Sequence, residues 1–427
     1  MTQSTNPSKG SRLTFEVEST FGTQVGSGQK DVRVEGNPDG PLVTGATTTA
    51  LQPQTLFADA HEFAAPVQIT AAVDGVLTMQ VGMHQAAAVA EDSFLSDALE
   101  SMGLTKSIAA SDTTTTGTPA VGAIDLTADN GAIGRGCYIS NNADSDLYIP
   151  VLAAGYATQT ITPAMDIKAA PAASQVVIRA ATFSPGSPKA TSTSLTFEHD
   201  TQGAGSSNKF EGIAEGCALA NVAAFEIVPN VFPFLNLTFN GATLQSGTIA
   251  ALGANSFQDS ASLLPVNPAT FYCEFATAAT AGGITRAVVP LLKATVDLGW
   301  SAKSIPGFGG ATCFGGIQGY FGSPTDDGPS ITMEMLWDVQ MITDWEASTV
   351  EKHIAFVQPS ASLTNLGWSF TAPSCRQISQ PVIDHYSEGF RKVTVKYKCG
   401  PAGFNGTGDG DAGNQPWYWI IPTSPAA

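Results

Sequence analysis

Alternation of apolar and polar side chains with a period of two runs through most of this chain. Leu195 and Phe197 alternate with Ser194, Thr196 and Glu198, and Leu235, Leu237 and Phe239 alternate with Asn236, Thr238 and Asn240. That spacing belongs to strands that bury one face. Residues 201–208 lack large apolar side chains and predict a turn or an open loop. Residues 210–213 restart the chain, and Leu219, Phe225 and Ile227 carry apolar weight toward Pro229. Asn240-Gly241 is a turn signal. Residues 194–242 therefore read as an antiparallel meander whose polar face, mostly uncharged Ser, Thr and Asn, is offered to water or to another subunit.

The remaining pattern is of the same kind. Leu13, Phe15 and Val17 alternate with Thr14, Glu16 and Glu18, a first strand that runs into Ser19-Thr20-Phe21-Gly22-Thr23. Residues 24–60 hold no sustained period, and a loop of that length suits an arm or a binding loop. Asp74-Gly75 signals a hairpin, after which Leu77, Met79, Val81 and Met83 alternate with Thr78, Gln80, Gly82 and His84. One stretch has helical spacing instead. Phe94, Leu95, Ala98, Leu99 and Met102 form a stripe, Ser93 is the N-cap, Glu91 and Asp92 add negative charge at that end, and Gly103 stops the helix. Asp97 and Glu100 fall on the opposite, solvated side.

Residues 111–122 read as a linker, 123–183 as strands again, and 184–193, with two prolines, as a second linker. The organisation expected is a main domain in two parts, 1–112 and 189–400, interrupted by a small β module at 113–188 and followed by a C-terminal extension, 401–427. Near the end, Val393, Val395, Tyr397 and Cys399 alternate with Lys392, Thr394, Lys396 and Lys398. This basic strip reads as a lysine-blunted edge or a partner-facing surface. The aromatic run 417–421 either folds back on its own core or docks on a neighbour.

Composition narrows the class. Charged residues are only 13% of the 427, roughly half the usual share, while 43 Gly and 26 Pro suit short strands joined by many turns. Twenty-two Phe and 6 Trp require a core, so the chain is not of the disordered type. Lys and Arg total 19 against 37 Asp and Glu, a net charge of −18 that disfavours binding nucleic acid through phosphate neutralisation. The opening MTQSTNPSKG has no apolar core of a secretory signal, and no stretch approaches the ~20 apolar residues of a membrane span, so a soluble protein made in the cytoplasm is expected. Six cysteines are scattered without a CxxC spacing and read as small buried side chains.

Candidate chemistry is sparse. His61-Glu62, His84, His199-Asp200, His353 and Asp384-His385 are singles or pairs with no metal-ligand spacing, and Asp326-Asp327 reads as a turn. No phosphate loop, nucleophile elbow or dinucleotide fingerprint is present, and the Gly/Asp stretch 405–411 lacks a calcium-repeat period. No catalytic, cofactor-binding or metal-binding residue is assigned, and the chain is not expected to be an enzyme.

The order of elements resembles a known family. The chain passes from Glu18-Ser19-Thr20-Phe21-Gly22-Thr23 through a Gly-led strand at 75–83, an amphipathic helix at 93–102 and a long β insertion. It returns through Ser194-Leu195-Thr196-Phe197-Glu198-His199-Asp200 and Phe210-Glu211-Gly212 to Asn240-Gly241. This is similar to the tail tube, or major tail, proteins of long-tailed bacteriophages, over most of 12–245 and more loosely over 284–400. The resemblance implies a mainly β fold: a tail-tube-like β-sandwich or split barrel with one flanking α-helix and an inserted β module. It implies rings, typically of six, stacked into a tube that houses a tape-measure protein, meets terminator and baseplate or tip proteins, and conducts double-stranded DNA. The virion, after the host cytoplasm, is the expected location.

On that reading the sheets holding 77–83 and 195–239 line the tube, with Thr78, Gln80, Thr196, Glu198, Asn236 and Thr238 on the wall. Lys392, Lys396 and Lys398 face outward or toward an acidic neighbour, and the insertion decorates the exterior and is dispensable for the ring. The alternatives are a capsid decoration or other virion protein, and a carbohydrate-binding or adhesin β protein using Trp300, Trp337, Trp368, Trp417 and Trp419.

Overall fold

A computed structural model describes residues 11–23, 30–32, 34, 48–51, 67–70, 73–86, 93–108, 112–127, 135–144, 146–155, 159–164, 167, 169–186, 188–191, 193–202, 209–247, 259–263, 265–277, 290–307, 317–336, 345–346, 351–362, 366–385, 389–401 and 415–422. The protein is mainly β, built of antiparallel sheets, one of which curls as a half-barrel. Among the described residues there is one α-helix.

The long strand Lys209–Val222 organises the first large sheet. Its first half pairs with Leu195–Gln202, which pairs in turn with Ser11–Val17. Two collinear strands, Phe234–Gly241 and Thr243–Gly247, pair with its second and first halves respectively. Strand Val73–Gly82 extends the sheet beyond Phe234–Gly241, and Trp300–Pro306 and Ile317–Pro324 join through Asn221 opposite Ser301. The kink in Lys209–Val222 lies at Gly216, whose φ of 61° is open to glycine at little cost. A side chain there would also meet the Ala242 methyl at 2.7 Å.

Two turn signals in the sequence do other work here. Asn240-Gly241 does not reverse the chain; it bends it at Ala242 so that both halves run along the same partner. Asp74-Gly75 is not a hairpin but an irregularity inside Val73–Gly82, where Phe239 faces Leu77 and Gly241 faces Val73. Gly75, at φ 64°, donates its N–H to the Asn240 side chain at 2.8 Å, so one Asn-Gly and one Asp-Gly meet across two strands.

The second large sheet runs from Phe225–Ile227 through Leu291–Asp297, Ser330–Leu336, Arg391–Gly400, Trp368–Gln377, Tyr418–Ile421 and Ala181–Ser184 to Thr105–Ser107. Glu351–Gln358 and Tyr272–Thr277 extend from Trp368–Gln377. The lysine strand is therefore interior, with Ser330–Leu336 on one side and Trp368–Gln377 and Val382–His385 on the other, and it does not serve as a blunted edge. The aromatic run near the C-terminus folds back on its own core. Trp417 and Trp419 are fully buried, and Tyr418–Ile421 fills the gap between Trp368–Gln377 and Ala181–Ser184.

Both large sheets share one apolar core with the helix Phe94–Ser101. Ser93 caps it through Ser96 N–H at 3.2 Å, and Phe94 sits 4.8 Å from the Phe15 ring and 6.2 Å from those of Phe197 and Phe239. The expected stripe is buried, and Ser96 and Ser101 are buried with it. The Ser101 hydroxyl accepts the Leu219 N–H at 3.0 Å beside the bulge in Lys209–Val222, and the Trp300 indole caps the Met102 carbonyl at 3.1 Å. Asp97 and Glu100 are half-buried; Glu100 meets Lys106 at 3.4 Å and Thr193 at 3.1 Å.

The inserted module is a six-stranded sheet from Thr113–Thr114 to Val176–Arg179 with its own core of Ile124, Leu126, Ile139, Ile149, Val151, Ile161 and Val177. The stretch read as a linker, 111–122, includes its edge strand, and Thr115 is buried with its hydroxyl bonded to Ala172 O and Gln175 N–H. Strands Thr105–Ser107 and Ala181–Ser184 pair antiparallel as a stem. The module does not stand free. Tyr138, Leu152 and Ile178 pack on Leu366, Tyr418 and Ile420, and the Tyr138 hydroxyl donates to Gly367 O at 2.7 Å.

Candidate functional site

Strict alternation gives strands Val73–Gly82 and Phe234–Gly241 one apolar and one polar face. Leu77, Met79, Val81, Leu235, Leu237 and Phe239 go into the core. Thr78 and Asn236 are exposed, and Gln80 and Thr238 are half-buried on the outer face. The register pairs Thr78 with Thr238 and Gln80 with Asn236. It then carries the row onward: Thr238 faces Asn221, Asn221 faces Ser301, and Ser301 faces Ser323. Five strands thus present one continuous row of hydroxyls and amides, none of them buried and none charged. Exposed Lys303 and Phe321, a facing pair, flank it at the Trp300–Pro306 side.

Thr196 and Glu198, expected on the same surface, are not there. Thr196 is fully buried, Glu198 is 7% exposed, and Thr14, which faces Glu198 across the strands, is 5% exposed. Thr196 is held by Glu18, just past the end of Ser11–Val17 and itself 8% exposed. Its carboxylate accepts four hydrogen bonds: from Gly22 N–H at 2.8 Å and the Ser194 hydroxyl at 2.6 Å on Oε2, and from Gly216 N–H at 2.7 Å and the Thr196 hydroxyl at 2.8 Å on Oε1. A buried carboxylate survives without a cation when donors fill its lone pairs in this way. The Glu18-Ser19-Thr20-Phe21-Gly22-Thr23 segment is thus folded onto the sheet by its own glutamate. Phe21 reaches the edge of Tyr320 at 6.1 Å. The outer face of the sheet is buried at Thr14, Thr196 and Glu198 and open along the row from Thr78 to Ser323.

The titratable groups singled out in the sequence do not converge. His199 and His353 are buried on separate strands, and burial lowers both, His353 to about 3. Asp384 and His385 are exposed, and Asp384 accepts the backbone N–H of His385 at 2.7 Å. His61-Glu62 and 405–411 lie outside the described residues, as do the His84 side chain and most of 24–60. Asp326-Asp327 forms the expected turn, closed by Gly328 N–H on Thr325 O at 3.0 Å. Five cysteines are buried, and Cys313 lies outside the described residues. Cys375 and Cys399 face each other with sulfurs 3.7 Å apart, and burial pushes the Cys375 thiol up. Among the described residues no three His, Cys, Asp or Glu side chains gather where a metal ion could sit.

Of three cavities lined by described residues, the smallest, of about 30 Å³, holds Glu274 with Ser369 and Thr371 in its lining, and the other two are larger. One, of about 400 Å³, is walled by Asn230, Asn267, Thr270, Gln358 and Ser360. The other, of about 340 Å³, lies at the stem between Lys106, Arg135, Thr182 and Tyr418. Neither sets a histidine or carboxylate against a nucleophile. Trp300, Trp368, Trp417 and Trp419 are at most 3% exposed, so none is a stacking platform for a sugar; Trp337 lies outside the described residues.

Sequence reasoning missed Asn221, Ser301 and Ser323 as members of the outer face. Each sits on a strand recognisable by composition, but only the register aligns them with Thr78 and Thr238. No protein-family model matches this chain, and neither does any curated protein.

Proposed function

We propose that this chain is a structural subunit of a bacteriophage tail tube, assembling into rings of six that stack into a hollow conduit, and that it is not an enzyme. The observation that carries the reading is the uncharged row Thr78–Thr238–Asn221–Ser301–Ser323 on an open sheet face of a chain with net charge −18. A polyanion sliding past such a wall finds uncharged hydrogen-bonding groups along the row and one cation, Lys303, at its margin. A wall of Lys and Arg would instead bind phosphates non-specifically, with a Kd on the order of 10⁻⁴–10⁻⁶ M per site. The reading is further supported by the mainly β architecture with one helix and a β module inserted after it, since the same order of elements carried the resemblance in the sequence. In that role the partners are further copies of the chain, a tape-measure protein, terminator and baseplate or tip proteins, and double-stranded DNA passing without specific contact. The location is the virion, reached from the host cytoplasm.

Negative-stain microscopy of the purified protein tests the assembly, and retention of duplex DNA at moderate salt tests the wall. Stacked rings that do not retain DNA are expected, and Thr78→Lys with Thr238→Lys should make them retain it. Dispersed monomers at high concentration, or wild-type tubes that bind duplex with a steep salt dependence, would overturn the proposal.

A further inference from the structure

Strands Trp368–Gln377 and Arg391–Gly400 set two cysteines face to face. Cys375 lies opposite Cys399, 24 positions on, with the sulfurs 3.7 Å apart. Cys137, Cys217 and Cys273 face Val151, Leu195 and Phe356 instead. The backbone hydrogen bonds identify the kind of pair. Cys399 gives its N–H to Pro329 O at 3.0 Å, on the other side of its strand, and Ile378 N–H bonds Lys396 O at 2.9 Å. Bonded and non-bonded pairs alternate along an antiparallel ladder, so counting back from Ile378 and Lys396 leaves Cys375 and Cys399 non-bonded. Such pairs hold their Cα atoms about 4.5 Å apart, inside the ~4.4–6.8 Å that a disulfide spans. Rotation about the two Cα–Cβ bonds then suffices to bring the sulfurs to about 2.05 Å.

We propose that Cys375 and Cys399 form a dithiol that a peroxide closes into a disulfide, locking the join between the two parts of the second large sheet. On one side of Trp368–Gln377, residues 369–371 pair with Tyr418–Ile421 and residues 374–377 with Arg391–Gly400, the partner changing at Ala372-Pro373. In the order of that sheet, the facing pairs at 374–377 join the strands from Phe225–Ile227 to Arg391–Gly400 with those from Trp368–Gln377 to Thr105–Ser107. A covalent bond gives this short ladder a link that does not fray. Cys399 is 5% exposed near the end of its strand, whereas Cys375 has no exposure and burial pushes its thiol up. A small oxidant therefore meets Cys399 first. The Cys399 thiolate attacks one oxygen of hydrogen peroxide, the O–O bond breaks and hydroxide leaves, so that Cys399 becomes a sulfenic acid. The Cys375 sulfur then attacks the Cys399 sulfur, the S–S bond forms, and the sulfenic hydroxyl leaves as water. In sum two thiols give up two electrons and two protons, and one peroxide becomes two waters. The scarcity of Cys375 thiolate makes closure slow, and in reducing surroundings the pair stays open. This device is independent of ring assembly.

The test uses the full chain, first reduced with dithiothreitol and then exposed to hydrogen peroxide without denaturant. Peptide mapping by mass spectrometry under non-reducing conditions should find Cys375 linked to Cys399, and the thiol count should fall by two from the six in the chain. Cross-linking residues this far apart removes loop entropy from the unfolded chain, so for 427 residues the melt should rise by roughly 4 °C. Hydrogen exchange within 391–400 should slow. Dithiothreitol should reverse the link and the melt together, which separates them from methionine oxidation, whose reversal needs its own reductase. Cys375→Ala should give no linked peptide and no rise in melt, and its Cys399 should be trapped by dimedone as the sulfenic acid. If that variant does not fold, the wild-type map decides. Six thiols retained after prolonged exposure, or Cys399 carried on to sulfinic acid without a link, would overturn the dithiol. A linked pair whose melt is unchanged or lower would overturn the lock.

Discussion

Replacing Glu18 by glutamine changes one oxygen to nitrogen and should loosen the junction of three strands. Each carboxylate oxygen takes one backbone N–H, from Gly22 or Gly216, and one hydroxyl, from Ser194 or Thr196. A hydroxyl can rotate and accept from the new amide, but a backbone N–H cannot. Whichever way the amide turns, its nitrogen faces Gly22 N–H or Gly216 N–H, donor against donor. An unsatisfied buried donor costs about 1–3 kcal/mol, and the remaining bonds lose the strength that the charge gave them. Neutralising the side chain returns part of its desolvation cost. The net expected loss is about 3 kcal/mol. At roughly 2.1 cal/mol/K per residue, the unfolding entropy of a chain this long is about 0.9 kcal/mol/K, so the melting temperature would move by only about 3 °C. Local hydrogen exchange is the sharper assay. Peptides covering 19–23 and 213–217 should lose protection by about 100-fold in Glu18→Gln, with peptides from the inserted module unchanged. Protection factors within threefold of wild type at both glycines would refute the account of Glu18 as the clamp.

Three other outcomes follow from burial. His353 is fully buried, neither ring nitrogen has a hydrogen-bond partner among the described residues, and its folded value lies near 3 against about 6.5 unfolded. Below pH 6.5 the unfolded chain gains a proton that the folded chain refuses, so stability should fall by about 1.4 kcal/mol per pH unit down to about pH 3. His353→Leu should remove that slope, and urea midpoints that fall in parallel for both proteins would show that His353 does not carry it. Leu99→Asp, at a side chain with no exposure, should abolish soluble folded protein, whereas Glu100→Gln keeps an acceptor for Thr193 and should shift stability by less than about 1 kcal/mol; equal melts for the two would contradict the assigned helix face. Replacing 113–180 by a Gly/Ser linker should expose Leu366, Tyr418 and Ile420 and bring aggregation or a lower melt, and an unchanged melt would show that the module's contacts with the body contribute little.

The local pattern alone decided which residues go inside. Leu77, Met79, Leu235, Leu237 and Phe239, and the stripe Phe94 to Met102, are buried as their spacing demands, because a side chain's face is set by the backbone period of its own element. Strand, helix and cap were legible for the same reason. What only the tertiary structure decided was pairing. Asn240-Gly241 and Asp74-Gly75 carry turn chemistry in sequence, yet each is pinned within a strand by the other, a contact spanning 165 residues. Thr196 and Thr238 look alike in sequence, but Thr196 is buried against a glutamate 178 residues before it while Thr238 stays half-exposed. The lysine strand could not be placed at an edge or in the interior from its own residues, since position in a sheet belongs to the neighbours. The row from Thr78 to Ser323 exists only through four successive registers, each fixed by backbone hydrogen bonds between segments distant along the chain.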